Sequence, residues 1–375
     1  MLPIFAVAAP GLEPVVTGEL ETLGMRATAE RGGASWTGPI DDVARANLEL
    51  RTASRVLVRA LEFRARTFHE LERGARRVEW DRFVASNETI RLRVTCRKSA
   101  LYHEGAVAER VLDAVEDRTG RRGVTGAGDD EEGDNAAGPL FVVRMFRDIC
   151  TISADSSGEL LHRRGYREAL ARAPLRETIA AAMLRASGWT PDLPLIDPLC
   201  GSGTIAIEAA LVARGIAPGL ARADRTPRAF RFLEWPSTDS RGWHDIVDQA
   251  TTRIRARCPA PVLASDRNAG AIRAATANAE RAGVSADIDF ATRPLSSIGS
   301  PANAGWIITN PPYGERVGNR ADARRILHEL DGRLAGDFHG WNLAALVPGT
   351  SAQARFETRN GGIPVSLRLS GRAAG

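Results

Sequence analysis

From residue 190 onward, short apolar runs alternate with helix-length amphipathic stretches, and few architectures accommodate that alternation. "LPLIDPLCGSG" reads as a strand entering a glycine-rich turn, and "TIAIEAALVARG" as a helix stopped by Gly215. After an irregular stretch with several Trp and Pro come strand "APVLASD", helix "NAGAIRAATANAERAG" and strands "ADIDFAT" and "GWIITN". Helix "ADARRILHELDGRLAG" and strand "WNLAALVP" complete the series. Strands joined through helices run parallel, and a parallel sheet needs cover on both faces. The expected class is therefore α/β, with a mainly parallel sheet and helices on both faces. Ligands on such sheets bind beyond the carboxyl ends of the strands. Two unusual loops, "DPLCGSG" and "NPPY", fall at such ends.

Gly201 and Gly203 let the backbone turn sharply and approach a ligand, with a helix N-terminus behind them. "GSGTIA" formally fits a dinucleotide fingerprint, so a nicotinamide cofactor is a rival. That fingerprint needs an acid at the end of the next strand about 20 residues on. Here the next convincing strand ends at Asp266, much further along. Asp197, just before the glycines, would repel a pyrophosphate and attract an ammonium group. S-adenosylmethionine carries an amino acid at one end and a ribose at the other. Asp197 can accept hydrogen bonds from its amine, and Asp266 from its ribose hydroxyls. The plainer alternative makes Asp197 a loop cap and Asp266 the N-cap of the following helix.

"TNPPYG" ends an apolar strand with two prolines, neither of which can donate to a ladder. A strand-ending turn needs neither the Asn nor the Tyr. An exocyclic amine on a nucleobase is a poor nucleophile, because its lone pair is delocalised into the ring. The Asn310 side-chain oxygen and the Pro311 carbonyl can accept its two N–H groups and favour a tetrahedral nitrogen, in a turn made rigid by Pro311 and Pro312. Tyr313 can stack on the base, a contact worth about 1–3 kcal/mol. Neither a metal nor a covalent nucleophile is required.

The N-terminal portion reads differently. "IFAVAA" and "VLVRALEF" are strands flanking helix "LEPVVTGELETLG". Helix-like "TFHELERGARRV", the alternating strand "ETIRLRVTCRKS" and helix "EGAVAERVLDAVEDRTG" follow. A Gly- and acid-rich stretch around Asp129–Asp134 reads as a solvated loop, and "LFVVRMFRDICTISADSS" as a β-hairpin. A basic connector then leads into an Ala-rich helix. The boundaries expected are 1–60 and 61–157 for two N-terminal units, 158–172 for the connector and 173–375 for the α/β domain.

The four cysteines, Cys96, Cys150, Cys200 and Cys258, are dispersed without a CxxC pair, which argues against a disulfide framework or zinc site and fits a cytoplasmic protein. No apolar run approaches a membrane span, and the first residues do not read as a signal peptide. The net charge is +4, and residues 1–160 carry 22 basic and 26 acidic side chains, so the positive excess lies in the remainder. Such a distribution suits a polyanionic partner.

"LLHRRGYR", "APLRETIAAAMLRASGW", "DPLCGSGTIAIEAA", "ANAERAGV" and "NPPYGER" together resemble the THUMP-domain RNA methyltransferases. They are most similar to the N-terminal half of the ribosomal RNA large-subunit methyltransferase L family, with "TCRKSALYHEGAVAERV" matching the THUMP region. The resemblance implies a ferredoxin-like unit (1–60) and a THUMP RNA-binding unit (61–157) before a Rossmann-like class I methyltransferase domain. It implies S-adenosylmethionine as cofactor and guanine N2 in 23S ribosomal RNA as acceptor. By position, Asn310, Pro311, Pro312 and Tyr313 form the acceptor site. Asp197, Cys200, Gly201 and Gly203 form the methionine-side loop, Asp266 meets the ribose, and Thr178 meets the cofactor's carboxylate end. One departure is "FATRPLSS": where the family carries an acid for the adenine amine, Pro294 stands, leaving Ser296 or a backbone carbonyl.

Two basic clusters are candidates for holding RNA phosphates: Arg91, Arg93, Arg97 and Lys98, and the connector residues Arg163, Arg164, Arg167 and Arg172. The connector is preferred because it adjoins the catalytic domain. His162 and His103 have no role that N-methylation demands. The NPPY turn alone also suits adenine N6, cytosine N4 or a glutamine amide. Transfer RNA is the alternative substrate, and a silent RNA-binding protein the alternative of another class. A monomer is the expected state.

Overall fold

The computed structural model describes residues 1–85, 88–120, 123–125, 138–167, 175–238, 240–312, 320–348, 354–360 and 363–370. The N-terminal portion runs β1 (Leu2–Val7), α1 (Glu13–Thr22), β2 (Thr28–Glu30), β3 (Gly33–Gly38), α2 (Ile40–Glu49) and β4 (Arg55–Arg64). It continues through α3 (Phe68–Ala75), β5 (Arg91–Arg97), α4 (Glu104–Thr119), β6 (Val124–Thr125), β7 (Leu140–Phe146) and β8 (Ile149–Asp155). All eight strands form one sheet, in the order β2-β3-β1-β4-β8-β7-β5-β6. The hairpin expected at β7–β8 is there, its turn made by Arg147 and Asp148 at φ 52° and 65°. Two consecutive positive φ values give the turn whose twist suits a two-residue hairpin. Beyond the expected elements lie β2, β3, α2 and the two-residue β6, which pairs with β5 at the start of the Gly- and acid-rich stretch expected as a loop.

Alternation sets the two faces of this sheet. Ile4, Ala6, Val56, Val58, Phe141, Val143, Met145, Cys150 and Ile152 point one way and are buried beneath the helices. Local chemistry fixes those helices: Thr67 and Glu70 close a reciprocal capping box on α3, and α4 stops at Gly120, left-handed at φ 70°.

The C-terminal portion comprises α5 (Glu177–Ser187), β9 (Leu195–Asp197), α6 (Thr204–Ala213), α7 (Ser240–Thr252), β10 (Val262–Asp266) and α8 (Ala269–Arg281). Then come β11 (Ile288–Thr292), β12 (Trp306–Thr309), α9 (Arg320–Ala335), β13 (Asn342–Pro348), β14 (Ala354–Asn360) and β15 (Ile363–Ser370). The sheet order is β11-β10-β9-β12-β13-β15-β14. The first five strands in that order are parallel, as expected, and β15 and β14 add antiparallel partners that the alternation did not predict. Ile196, Ile307, Leu343 and Ala345 pack with Leu330 of α9, whereas Leu195, Ile308, Ala344 and Leu346 join the larger core that holds α5 and α6. Both faces are thus covered.

The two portions share a continuous core. Polar ties cross between them: Arg51 Nη2 donates to the Ile216 carbonyl at 2.6 Å, and Arg185 Nη2 donates to Thr22 Oγ1 at 2.8 Å. Phe83 meets Trp235 edge-on at 5.0 Å, and Arg253 pairs with Glu49 at 2.8 Å. Among the described residues, no helix is long and apolar enough to cross a membrane.

Candidate active site at the strand switch point

Strand order reverses at β9, which pairs with β10 on one side and β12 on the other. The crevice beyond the carboxyl ends of β9 and β12 is where such a sheet binds ligands. Asp197 ends β9, and Thr309 ends β12 immediately before Asn310. The Thr309 hydroxyl donates to Asp197 Oδ1 at 2.8 Å, and the Leu199 N–H reaches the same oxygen at 3.3 Å. Asp197 is 1% exposed, and burial first, with the nearby Asp266 charge adding to it, pushes its carboxyl up to about 7.

The glycine loop is held from its other side by β10. The Cys200 N–H donates to the Ser265 carbonyl at 3.0 Å, and the Gly201 N–H to Asp266 Oδ2 at 3.1 Å. Asp266 Oδ1 accepts the Asn268 N–H at 2.9 Å. Asn268, rather than Asp266, caps α8, accepting from Gly270 and Ala271. Gly203 has φ 82°, and a Cβ there would come within 2.9 Å of Ala275 Cβ, so both conformation and packing demand glycine. Asn278 of α8, nearly buried, donates to the Ser202 carbonyl at 3.0 Å. Sequence reasoning assigned no role to Asn278 or to Thr309, since both act across elements that only the fold brings together.

Asn310 Oδ1 is buried and, among the described residues, meets no hydrogen-bond donor. Pro311 is buried and Pro312 half-buried beside it, while Tyr313 lies outside the described residues. Asp197, Cys200, Gly201, Gly203, Asp266 and Asn310 thus converge at three adjacent strand ends. Thr178 lies in the first turn of α5, 5% exposed, beside Glu177, which Arg167 links to Thr204 after the glycine turn. Burial foremost raises the Cys200 thiol well above its ordinary range, which makes it a poor nucleophile. Ser296 is exposed, and its carbonyl accepts from Arg333 Nη2 at 2.8 Å. Among the described residues, no group of three His, Cys, Asp or Glu side chains could hold a metal ion.

The connector differs from expectation. Arg164 is 2% exposed and donates to the Leu161 and Arg51 carbonyls, with Glu208 Oε1 at 3.5 Å. Arg167 donates to the Leu175 carbonyl at 2.8 Å and to Thr204 Oγ1 at 2.6 Å, with Glu177 at 3.4 Å. Neither is placed to meet RNA phosphates; both hold α6, the helix behind the glycine loop. Arg163 is half-buried near Glu159, at 3.8 Å. Arg172 and the acidic stretch at Asp129–Asp134 lie outside the described residues, whereas Arg97 and Lys98 are exposed at the end of β5. His162 is half-buried, and burial followed by the surrounding arginines pushes its pKa down to about 3. His103 caps α4, its Nδ1 accepting from the Ala106 N–H at 3.2 Å.

Comparison with known proteins now decides the family. A model of the RMKL-like methyltransferase domain matches residues 164–361, more than half of the chain. The chain belongs to the RMKL-like methyltransferase family. Models of the RlmL ferredoxin-like domain and the THUMP domain match residues 3–57 and 65–130 of this RMKL-like methyltransferase. The slr0064 protein of Synechocystis sp. is 34% identical over 97% of this chain and 95% of its own length. The ribosomal RNA large subunit methyltransferase K/L of Syntrophotalea carbinolica is 36% identical over 92% of this chain. The chain spans 49% of that relative's length. Among solved structures, SMU.472 complexed with SAH superposes with a TM-score of 0.84 at 27% identity, covering 100% of this chain and 99% of its own.

As a member of this family, the chain is an S-adenosylmethionine-dependent RNA methyltransferase. Its residues fit that cofactor. Among the described residues a Cβ on Gly201 would meet nothing within 4 Å, so the loop backbone borders open space there, and the buried Asp197 carboxyl suits an ammonium group. Asp266 keeps acceptor capacity for hydroxyls, because two oxygens offer about four lone-pair sites.

Proposed function

We propose that this enzyme methylates the exocyclic N2 amine of a guanine in 23S ribosomal RNA. The carrying observation is the buried, donor-free Oδ1 of Asn310, one residue from the hydroxyl that ties β12 to Asp197. A buried carbonyl oxygen without a partner costs about 1–3 kcal/mol, and an amine N–H would relieve it.

In this reading Asn310 Oδ1 and the Pro311 carbonyl accept the two N–H groups of the guanine amine. They draw its lone pair out of conjugation and aim it at the cofactor loop. Pro311 and Pro312 hold those acceptors still, so little reorganisation accompanies reaction. S-adenosylmethionine, when bound, supplies an electrophilic methyl group on a sulfonium. Asp197 receives the cofactor's ammonium, Asp266 its ribose, and the Gly201–Gly203 turn lets the backbone approach, with Cys200 and Thr178 adjoining. Tyr313 stacks on the base. Asn310 steadies the nitrogen as its surplus proton passes to water, and no side chain need act as a strong base. A guanine within a helix must be turned out of its stack to reach this turn.

The choice of 23S RNA rests on the ribosomal RNA methyltransferase K/L relatives, and transfer RNA is the competing substrate. Purified enzyme, tritiated S-adenosylmethionine and unmodified ribosomal and transfer RNA in parallel, followed by nucleoside analysis, separate the two. N2-methylguanosine in the large ribosomal RNA is expected. The same nucleoside in tRNA alone would overturn the substrate, and another methylated base would overturn the acceptor.

A further inference from the structure

Ser202 stands between two glycines with positive φ, Gly201 at 52° and Gly203 at 82°. A glycine beside a peptide lets that peptide flip at little steric cost. The Ser202–Gly203 peptide is therefore the part of the cofactor loop that most needs holding. Two bonds hold it from opposite edges: the Gly203 N–H donates to the Cys200 carbonyl at 2.8 Å, and the Ser202 carbonyl accepts from Asn278 Nδ2 at 3.0 Å. The first is a local turn bond, and the second comes from α8, outside the loop.

An asparagine amide can serve here in one orientation only. Its nitrogen end donates and its oxygen end accepts, so turned over it would set an oxygen against the Ser202 oxygen. Arg281 decides the orientation. It lies one helical turn along α8, and its Nη2 donates to Asn278 Oδ1, which leaves Nδ2 facing Ser202. Its Nε donates to the Tyr166 carbonyl at 2.7 Å, so the guanidinium is itself fixed. Tyr166 is in turn buried, its Oη donating to Glu208 of α6 at 3.0 Å. Asn278 is 4% exposed, so water is poorly placed to do the work of the arginine. A chain of hydrogen bonds thus runs from the connector through Arg281 and Asn278 to the loop.

We propose that Arg281 and Asn278 are positioning residues for methyl transfer: Arg281 orients the Asn278 amide, and the amide locks the Ser202–Gly203 peptide in the shape that receives S-adenosylmethionine. Neither side chain need touch the cofactor. With the lock gone, the peptide samples its flipped form, and the cofactor must order the loop as it binds. The effect falls on cofactor affinity. It is the same whichever RNA, and whichever base, is methylated.

The test compares the wild type with Asn278→Asp, Arg281→Met and Arg281→Lys, and with Arg273→Ala, exposed on the same helix, as control. Asn278→Asp keeps the size and the pairing with Arg281 but has no donor for Ser202. Calorimetry gives SAH affinity. Amide exchange read by mass spectrometry on the cofactor-free protein compares residues 199–204 with α5. In Asn278→Asp and Arg281→Met, SAH affinity falls about tenfold, the scale of one buried hydrogen bond. Exchange in residues 199–204 speeds up while α5 keeps the wild-type rate. Arg281→Lys, which keeps a donor for Oδ1, recovers most of the affinity, and Arg273→Ala matches the wild type. Wild-type SAH affinity in Asn278→Asp overturns the proposal. So does exchange that rises in α5 as much as in the loop, which marks general loosening rather than a released peptide. An equal loss of affinity in the Arg273 control overturns it as well.

Discussion

Thr309 Oγ1 donates to Asp197 Oδ1 across 2.8 Å, and both side chains are essentially shut off from solvent. This bond joins the last residue of β12, next to the acceptor turn, to the last residue of β9, next to the cofactor loop. In the chemistry proposed here the two halves of the reaction are thereby held in one register.

Replacing Thr309 by Val keeps the shape and removes the donor. The buried Asp197 carboxyl then loses a partner and rises further, so cofactor affinity should fall about tenfold and stability by about 1–3 kcal/mol. Calorimetric titration with SAH and thermal melts check both, and Thr309→Ser should recover most of the affinity. Wild-type affinity in Thr309→Val would show that the bond does not support the cofactor loop.

Asp197 titrates near neutrality, at about 7. An ammonium prefers the ionised form, so cofactor affinity should rise with pH and level off above about pH 8, being about tenfold weaker at pH 6. Stability runs the other way. A carboxyl raised above its unfolded value stabilises below about pH 4 and loses that contribution as pH rises through 7. Asp197→Asn should flatten both profiles, which SAH titrations and melts between pH 5 and 9 would measure.

Arg164 is buried against Glu208, itself fully buried, with Tyr166 Oη donating to the same carboxylate at 3.0 Å. Arg164→Met strands that charge and should cost about 3–5 kcal/mol. The salt slope of RNA binding should stay that of the wild type. A lower slope without loss of stability would return Arg164 to the phosphate-binding set.

The candidate site was legible in the sequence because its signals are local. A glycine loop after one strand and Asn-Pro-Pro after another each carry their chemistry within a few residues, and alternation placed both at strand ends. The Thr309–Asp197 bond was not legible, because it depends on β9 and β12 being neighbours. Arg164 and Arg167 misled for a related reason: a run of arginines announces charge but not whether Glu208 and Glu177 wait inside to take it up. Helix α2 is different. Ile40, Val43, Ala44 and Leu48 keep a helical period with Asp41 and Asp42 in the first turn, a signal that could have been read. Strands β14 and β15 follow the last predicted strand as an antiparallel addition, which β/α alternation does not announce.

The proposed chemistry requires Asn310 to act on the acceptor and not on the cofactor. The deciding measurement is single-turnover methyl transfer by Asn310→Ala at saturating RNA and cofactor, alongside its affinity for SAH. Transfer should fall at least about a thousandfold, in the range of losing one preorganised transition-state partner, with SAH affinity within about twofold of wild type. Transfer within tenfold of wild type, or joint loss of transfer and SAH binding, would contradict it.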